Sequence, residues 1–442
     1  MLIRDTHGNA LTGASAAARE HYEAALDLLR VYRNDPLAKA DAAIADSPGF
    51  AMAHALKAWL FLLGTEPGGF EPARAAHAAA KAAAATAREQ GHVAAIGQVI
   101  ENRWWDASRT LAQVAIDNPH DALALQVGHQ VDFFTGNARL LRDRIARALP
   151  EWSPGMPGYH ALLGMHAFGL EECGDYARAE RQGRRAVELD ARDSWAQHAV
   201  AHVLEMQGRQ ADGIAWMRAA PDDWTRDSFF AVHNWWHLAL YHLDLGEIDE
   251  VLKLYDGPIN GGRSAVALEL IDHSAMLWRL MLRGVDVGDR WRPLADQWAA
   301  FASAGNYAFN DAHAMMAFVA TGRTAQMVEV LEAQERAMAR DDDNAMFTRD
   351  VGRPLSLALK AFGDGDHKRV VCLLRPVIGV ASRFGGSHAQ RDLLDLTMIE
   401  AAQRGGDTAL ARALTAERRE VKPSSPHNRA LFDRARAVAR AA

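Results

Sequence analysis

The stretch "YHALLGMHAFGLEECGDYARAERQGRRAVELDARD", Tyr159 to Asp193, decides the fold. It reads as two apolar-faced helices broken once, at Gly174, with the small residues Ala179 and Ala186 on one face of the second. A glycine just past a helix end accepts the left-handed conformation that other residues resist. The same punctuation recurs along the chain. Gly136, Gly174, Gly208, Gly246, Gly284 and Gly322 stand 38, 34, 38, 38 and 38 residues apart, and Gly365 and Gly406 follow at 43 and 41. Between them run segments with helical apolar spacing, such as "REHYEAALDLLRVYR", "ARLLRDRIARAL" and "TAQMVEVLEAQERAMA". No convincing strand interrupts them.

A period in the mid-thirties built of helix, turn glycine and helix is the tetratricopeptide-type signature. The expected fold is therefore all-α: a tetratricopeptide-like α-solenoid, a superhelix of roughly nine or ten stacked helix pairs. It is read as one domain over residues 1–442. Irregular alanine-rich helices fill residues 1–90, helix-pair repeats follow over 91–420, and a polar capping helix closes the chain at 421–442 after a Pro-Ser loop. The two longest glycine spacings predict extended helices or loops.

Composition excludes several classes. A net charge of -7 without a basic run argues against nucleic acid as a partner. No uncharged apolar run is long enough for a bilayer, and no basic amphipathic helix suits a membrane surface. The two cysteines, Cys173 and Cys372, make no disulfide framework or C-x-x-C metal site. The start "MLIRDTHGNALTG" lacks a signal-peptide layout, so the expected location is the cytoplasm. Phosphate-loop, dinucleotide and serine-hydrolase motifs are missing. "RDDDN" (Arg340 to Asn344) is read as a solvated loop and "ENRWWDAS" as aromatic core.

Several strings are more distinctive than the repeat requires: "DSWAQHAVAHVLEMQG", "AVHNWWHLALYHLDLGE", "FNDAHAMMAF", "RDVGRPLSLAL" and "GGSHAQRD". They closely resemble those of the tetratricopeptide repeat protein 38 family, over about Tyr159 to Pro426. The resemblance implies a tetratricopeptide-like superhelix and brings no reaction with it. One departure is His388, where the family string carries Asn, and His388 is left out of the candidate site for that reason.

In arrays of this type the first helix of each pair lines a groove, and residues 3, 6 and 10 before the turn glycine point into it. Counted from Gly208 these are Glu205, His202 and His198, spaced to share one helix face. Before Gly246 stand Asn234, Trp236 and His237, at twelve, ten and nine residues; before Gly322, Asn310 and His313 repeat the twelve and the nine. Glu171 repeats the offset of Glu205 one repeat earlier, and Trp195, Trp235 and Trp236 rim the same face.

Three readings follow. A divalent metal such as zinc could sit on His198, His202 and a third ligand, Glu205 or His237. A metal-free site would use a histidine as general acid or base, oriented by Glu205, with Asn234 and Asn310 holding a polar substrate. In the third, the histidines are hydrogen-bonded packing residues between helices. The expected catalytic set is His198, His202, Glu205, His237 and His313. His233, Asn234, Trp236, Asn310, Asp311, Arg349 and Arg391 would bind substrate, the two arginines by anchoring an acidic group. Asp121, Asp193 and Asp350, each fifteen residues before a turn glycine, are expected to cap helix starts. The leading expectation is thus a small-molecule pocket in the groove, a hydrolase or lyase with no certain cofactor. The rival is a non-catalytic protein-protein interaction scaffold, the common occupation of such repeats.

Overall fold

The computed structural model describes residues 3–441, with side chains through 437. Apart from one two-stranded antiparallel hairpin, Ile3–Arg4 with Ala10–Leu11, the described residues are helices and turns. Sequence periodicity misses that hairpin because each strand is two residues long. It is held locally: the Asp5 carboxylate accepts from the Asn9 backbone N–H at 2.7 Å. The chain is all-α, of the tetratricopeptide-like α-solenoid class.

Its helices gather into two compact units. One comprises the residues up to Val200 together with Ala220–Ala231; the other comprises Ala201–Ala219 and the residues from Val232 onward.

In the first unit, Tyr159–Glu172 and Tyr176–Leu189 form the pair read from the sequence, turning at Gly174 with φ of 81°. All eight glycines of the repeat have positive φ, between 63° and 82°. The second helix of this pair offers a stripe of small residues: Ala179 and Ala186 are fully buried, and a Cβ on Gly183 would meet Val200 at 2.6 Å. The bare Gly183 backbone leaves the space that the Val200 side chain fills. Trp104, from "ENRWWDAS", is buried edge-on against Phe134.

The second unit contains the pairs Ala231–Leu245 with Ile248–Leu254, Ala267–Leu282 with Trp291–Trp298, and Ala308–Ala320 with Thr324–Met338. Two further pairs, Arg353–Gly363 with His367–Leu374 and His388–Arg404 with Thr408–Val421, precede the last helix, Pro426–Ala441. The long glycine spacings have identifiable sources. Between Gly322 and Gly365 the chain inserts the short helix Asp343–Phe347 and a π turn, Thr348–Gly352; before Gly406 it inserts the 3-10 turn Ile378–Phe384.

That insertion overturns two local expectations. Asp193 and Asp121 do cap, accepting from Ala196 N at 2.9 Å and Ala124 N at 3.0 Å. Asp350 does not: it lies inside the π turn and pairs with Arg383, while Asp342 caps the inserted helix through Ala345 N at 2.8 Å. Nor is "RDDDN" a solvated loop throughout. Asn344 is fully buried, accepting from Ala308 N at 2.9 Å and donating to Gly305 O at 3.1 Å.

Candidate histidine-carboxylate site

His202, His233 and His237 stand on first helices of successive pairs, so the shared turn-glycine register places them at similar heights. His202 and Glu205 belong to Ser194–Met206, His233 and His237 to Ala231–Leu245, and Asp272 to Ala267–Leu282. On Ala231–Leu245 the two histidines are four residues apart and face the same way.

The contacts form a row. Asp272 Oδ2 lies 2.8 Å from His233 Nδ1, and His233 Nε2 lies 3.3 Å from His237 Nε2. His237 Nδ1 is 3.4 Å from Glu205 Oε2, within ion-pairing reach, and the Lys422 ammonium donates to Glu205 Oε1 at 3.1 Å. The His202 ring lies against His237, centroids 4.4 Å apart. His202 and His237 are fully buried, whereas His233, Glu205 and Lys422 each keep about a seventh of the side chain exposed, at 14%. Trp236 is buried behind the row, its ring stacked on His233 at 5.5 Å, with the Arg279 guanidinium over its face.

Burial sets the electrostatics. It pushes the His202 imidazole well below its ordinary value, and the neighbouring His237 and His233 push the same way. His237 is also lowered by burial, against the opposing pull of Glu205. For Glu205 burial alone would raise the carboxyl; Lys422 and His237 outweigh it and hold the group well below the usual carboxylate range. Burial thus favours neutral imidazoles at His202 and His237, while Lys422 and His237 hold the Glu205 carboxylate charged.

The other expected site residues have surroundings of their own. His198, one turn before His202 on its helix, belongs to the first unit, where it is buried among the rings of Phe168, Trp195 and Phe230. Glu171 is buried in that unit too. His313 repeats the offset of His237, yet its Nδ1 contacts Phe309 O of its own helix at 2.8 Å, and burial pushes it down to about 4. Asn234, Asn310 and Asp311 are buried, and burial raises Asp311 to about 7. Arg349 is exposed and donates to Met338 O, apart from the row.

Arg391 is half-buried and lines a cavity of about 420 Å³ with His388, Asp392, Asp395, Arg418 and Lys422. His388, set aside on sequence grounds, thus faces the cavity that Lys422 shares. Sequence reasoning also missed Asp272 and Lys422. Asp272 was legible, since it stands twelve residues before Gly284, the offset of Asn234 and Asn310. Lys422 comes from the loop after the last pair, outside the repeat register.

No protein-family model matches the chain. Among solved structures, the human IFIT1 dimer with m7Gppp-AAAA is similar at 11% identity and a TM-score of 0.41, over 96% of this chain and 94% of that one. Yeast Tom70 is similar at 11% identity and 0.32, over 95% and 88%. The P58(IPK) TPR domain is similar at 14% identity and 0.20, over 89% and 99%. Likenesses at these scores carry no weight for function, and the fold assignment rests on the helix pairs and their turns. No helix among the described residues is long and apolar enough to cross a membrane.

Proposed function

We propose that the chain is a tetratricopeptide-like binding protein whose second unit is organised round a site for a small polar ligand, at the row Asp272, His233, His237, Glu205. One observation carries this: two imidazole edges meet at 3.3 Å, each ring backed by a carboxylate. Helix packing does not require such a row. Buried polar and charged groups cost stability unless fully paired, and apolar side chains of similar volume would fill the space at lower cost.

In its catalytic form this reading gives His237 the part of general base, with Glu205 holding its Nδ1 side, and His233 that of proton partner. Lys422 and Arg391 line the adjoining cavity and would attract an anionic group. The reaction class would be a hydrolase or lyase. The distinctive sequence strings support membership of the tetratricopeptide repeat protein 38 family.

The second reading is the non-catalytic interaction scaffold, favoured by the architecture itself: helix pairs in series present extended surfaces to partner proteins. Under it the histidines are packing. Thermal-shift screening of full-length wild type and Glu205→Gln against small carboxylates and phosphates separates the two. The ligand-site reading expects a stabilising ligand whose effect disappears in the variant. Indifference of both proteins to every such ligand would end it and leave the scaffold.

A further inference from the structure

We infer that His202, His233 and His237 form a site for a divalent transition metal of the zinc class, with Asp272 and Glu205 as the carboxylates that orient two of the rings from behind. The inference rests on the row being a ligand site and names the ligand.

Ring nitrogens of all three histidines lie within 4.8 Å of one another. The spacing within the pair is the sharper observation. Two nitrogens bound 2.0–2.1 Å from a tetrahedral ion are about 3.3–3.4 Å apart, and His233 Nε2 and His237 Nε2 stand 3.3 Å apart. They come from positions i and i+4 of one helix, an arrangement that lets two imidazoles hold one ion.

The carboxylates add a second, independent argument. Asp272 stands at Nδ1 of His233 and Glu205 at Nδ1 of His237. A carboxylate that accepts a hydrogen bond from Nδ1–H leaves the lone pair on Nε2; with both rings held in that tautomer, the two Nε2 lone pairs face each other. Facing lone pairs at this distance repel unless an electropositive centre lies between them. Metal-binding histidines are characteristically backed in this way, by a carboxylate on the far nitrogen. His202 supplies the third nitrogen from the neighbouring first helix. Neutral imidazoles suit zinc, copper or nickel over magnesium or calcium, and three of them leave a fourth position for water or substrate. The sequence reading took His198, His202 and either Glu205 or His237 as ligands; the set inferred here keeps His202 and His237, has His233 in place of His198, and puts Glu205 behind His237.

The test uses tag-free full-length protein, stripped with a chelator and titrated with zinc alone and with cobalt(II) alone. The expected result is one ion per chain by mass spectrometry and the visible absorption of tetrahedral cobalt. Asp272→Asn, which keeps all three imidazoles, should weaken binding about 10–100-fold. His233→Asn, at the partly exposed ligand, should abolish it while circular dichroism stays unchanged. Wild type that takes up neither ion, or variants that bind like wild type, would overturn the metal site. Nitrogen NMR of the histidines then separates the two readings. One proton shared between His233 and His237 would keep the ligand-site row without the metal, and its absence would remove both.

Discussion

Each unit holds a buried polar cluster, and the two clusters are built in different ways. In the first, opposites are paired. The Arg144 guanidinium grips Asp132 with two nitrogens, at 2.8 and 3.0 Å, and reaches Ser108 O at 3.0 Å. Asp121 takes Arg88 at 2.9 Å and His92 at 3.0 Å besides capping its helix. At the histidine row of the second, like stands beside like, three imidazoles together with a carboxylate at either end. A fork-to-carboxylate pair fixes two helices and is satisfied by its own members. A cluster of imidazoles gains little from its neighbours, and the proposed ligand would supply what they lack. The difference separates a staple from a proposed site.

The largest effect should come from breaking the staple. Arg144→Met leaves Asp132 buried without its cation, and losing one partner of a buried pair costs about 3–5 kcal/mol. Denaturant titration gives the total, and amide exchange shows whether the first unit carries the loss. The comparison predicts a partial recovery in Arg144→Met with Asp132→Leu, because the pair serves packing and an apolar replacement can serve it too. A double variant as unstable as the single one would mean that this pair, like the histidine row, does more than join helices.

Acid-base linkage gives a second, smaller test, with opposite signs in the two units. Asp311 is raised to about 7 by burial, which Gln334 and Arg340 only partly offset. Between its ordinary value of 3.8 and about 7 the folded state keeps a proton that the unfolded chain has released. Its contribution is therefore full below 3.8, falls as pH rises through that window, and is flat above it. Asp311→Asn should remove that fall, a gain on the order of a few kcal/mol at pH 7 and above. Asp121 is the reverse. Burial would raise it, but His92 and Arg88 hold it well below the usual range, so its contribution is present above the ordinary value and lost as pH falls. Asp121→Asn should flatten the acid limb and leave the neutral limb unchanged in slope. Stability curves from pH 3 to 9 that slope alike in both variants would erase the distinction.

How much of this was legible follows from what each residue needs. Turn glycines answer a local demand, positive φ after a helix, so their period exposed the helix pairs directly. The offset count likewise pointed to the helix faces carrying His202 and Glu205 on one helix and His237 on another, and applied once more it would have found Asp272. It could not choose partners. His313 shares the offset of His237 but satisfies its Nδ1 within its own helix, and Asp350 shares the offset of Asp193 but falls in an inserted turn. Lys422 reaches Glu205 across 217 positions from a Pro-Ser loop, a contact that no periodic pattern encodes. The family strings drew attention to Arg349, which is exposed on the surface.

The smallest predicted effect tests whether the units differ only where they bury charge. Asn137 caps a first-unit helix, its Oδ1 accepting from Leu140 N at 3.2 Å, and Asp407 caps a second-unit helix through Leu410 N at 3.0 Å. Each follows its turn glycine directly, Gly136 and Gly406, so the two caps do the same local work in different surroundings. Replacement by Ala leaves one helix-end N–H without its acceptor and costs about 1 kcal/mol. Asn137→Ala and Asp407→Ala should therefore lose similar amounts in denaturant titration, and neither should change zinc uptake. A cost at Asp407 several times that at Asn137 would place the asymmetry between the units in their helix ends as well, and the histidine row would no longer be what sets them apart.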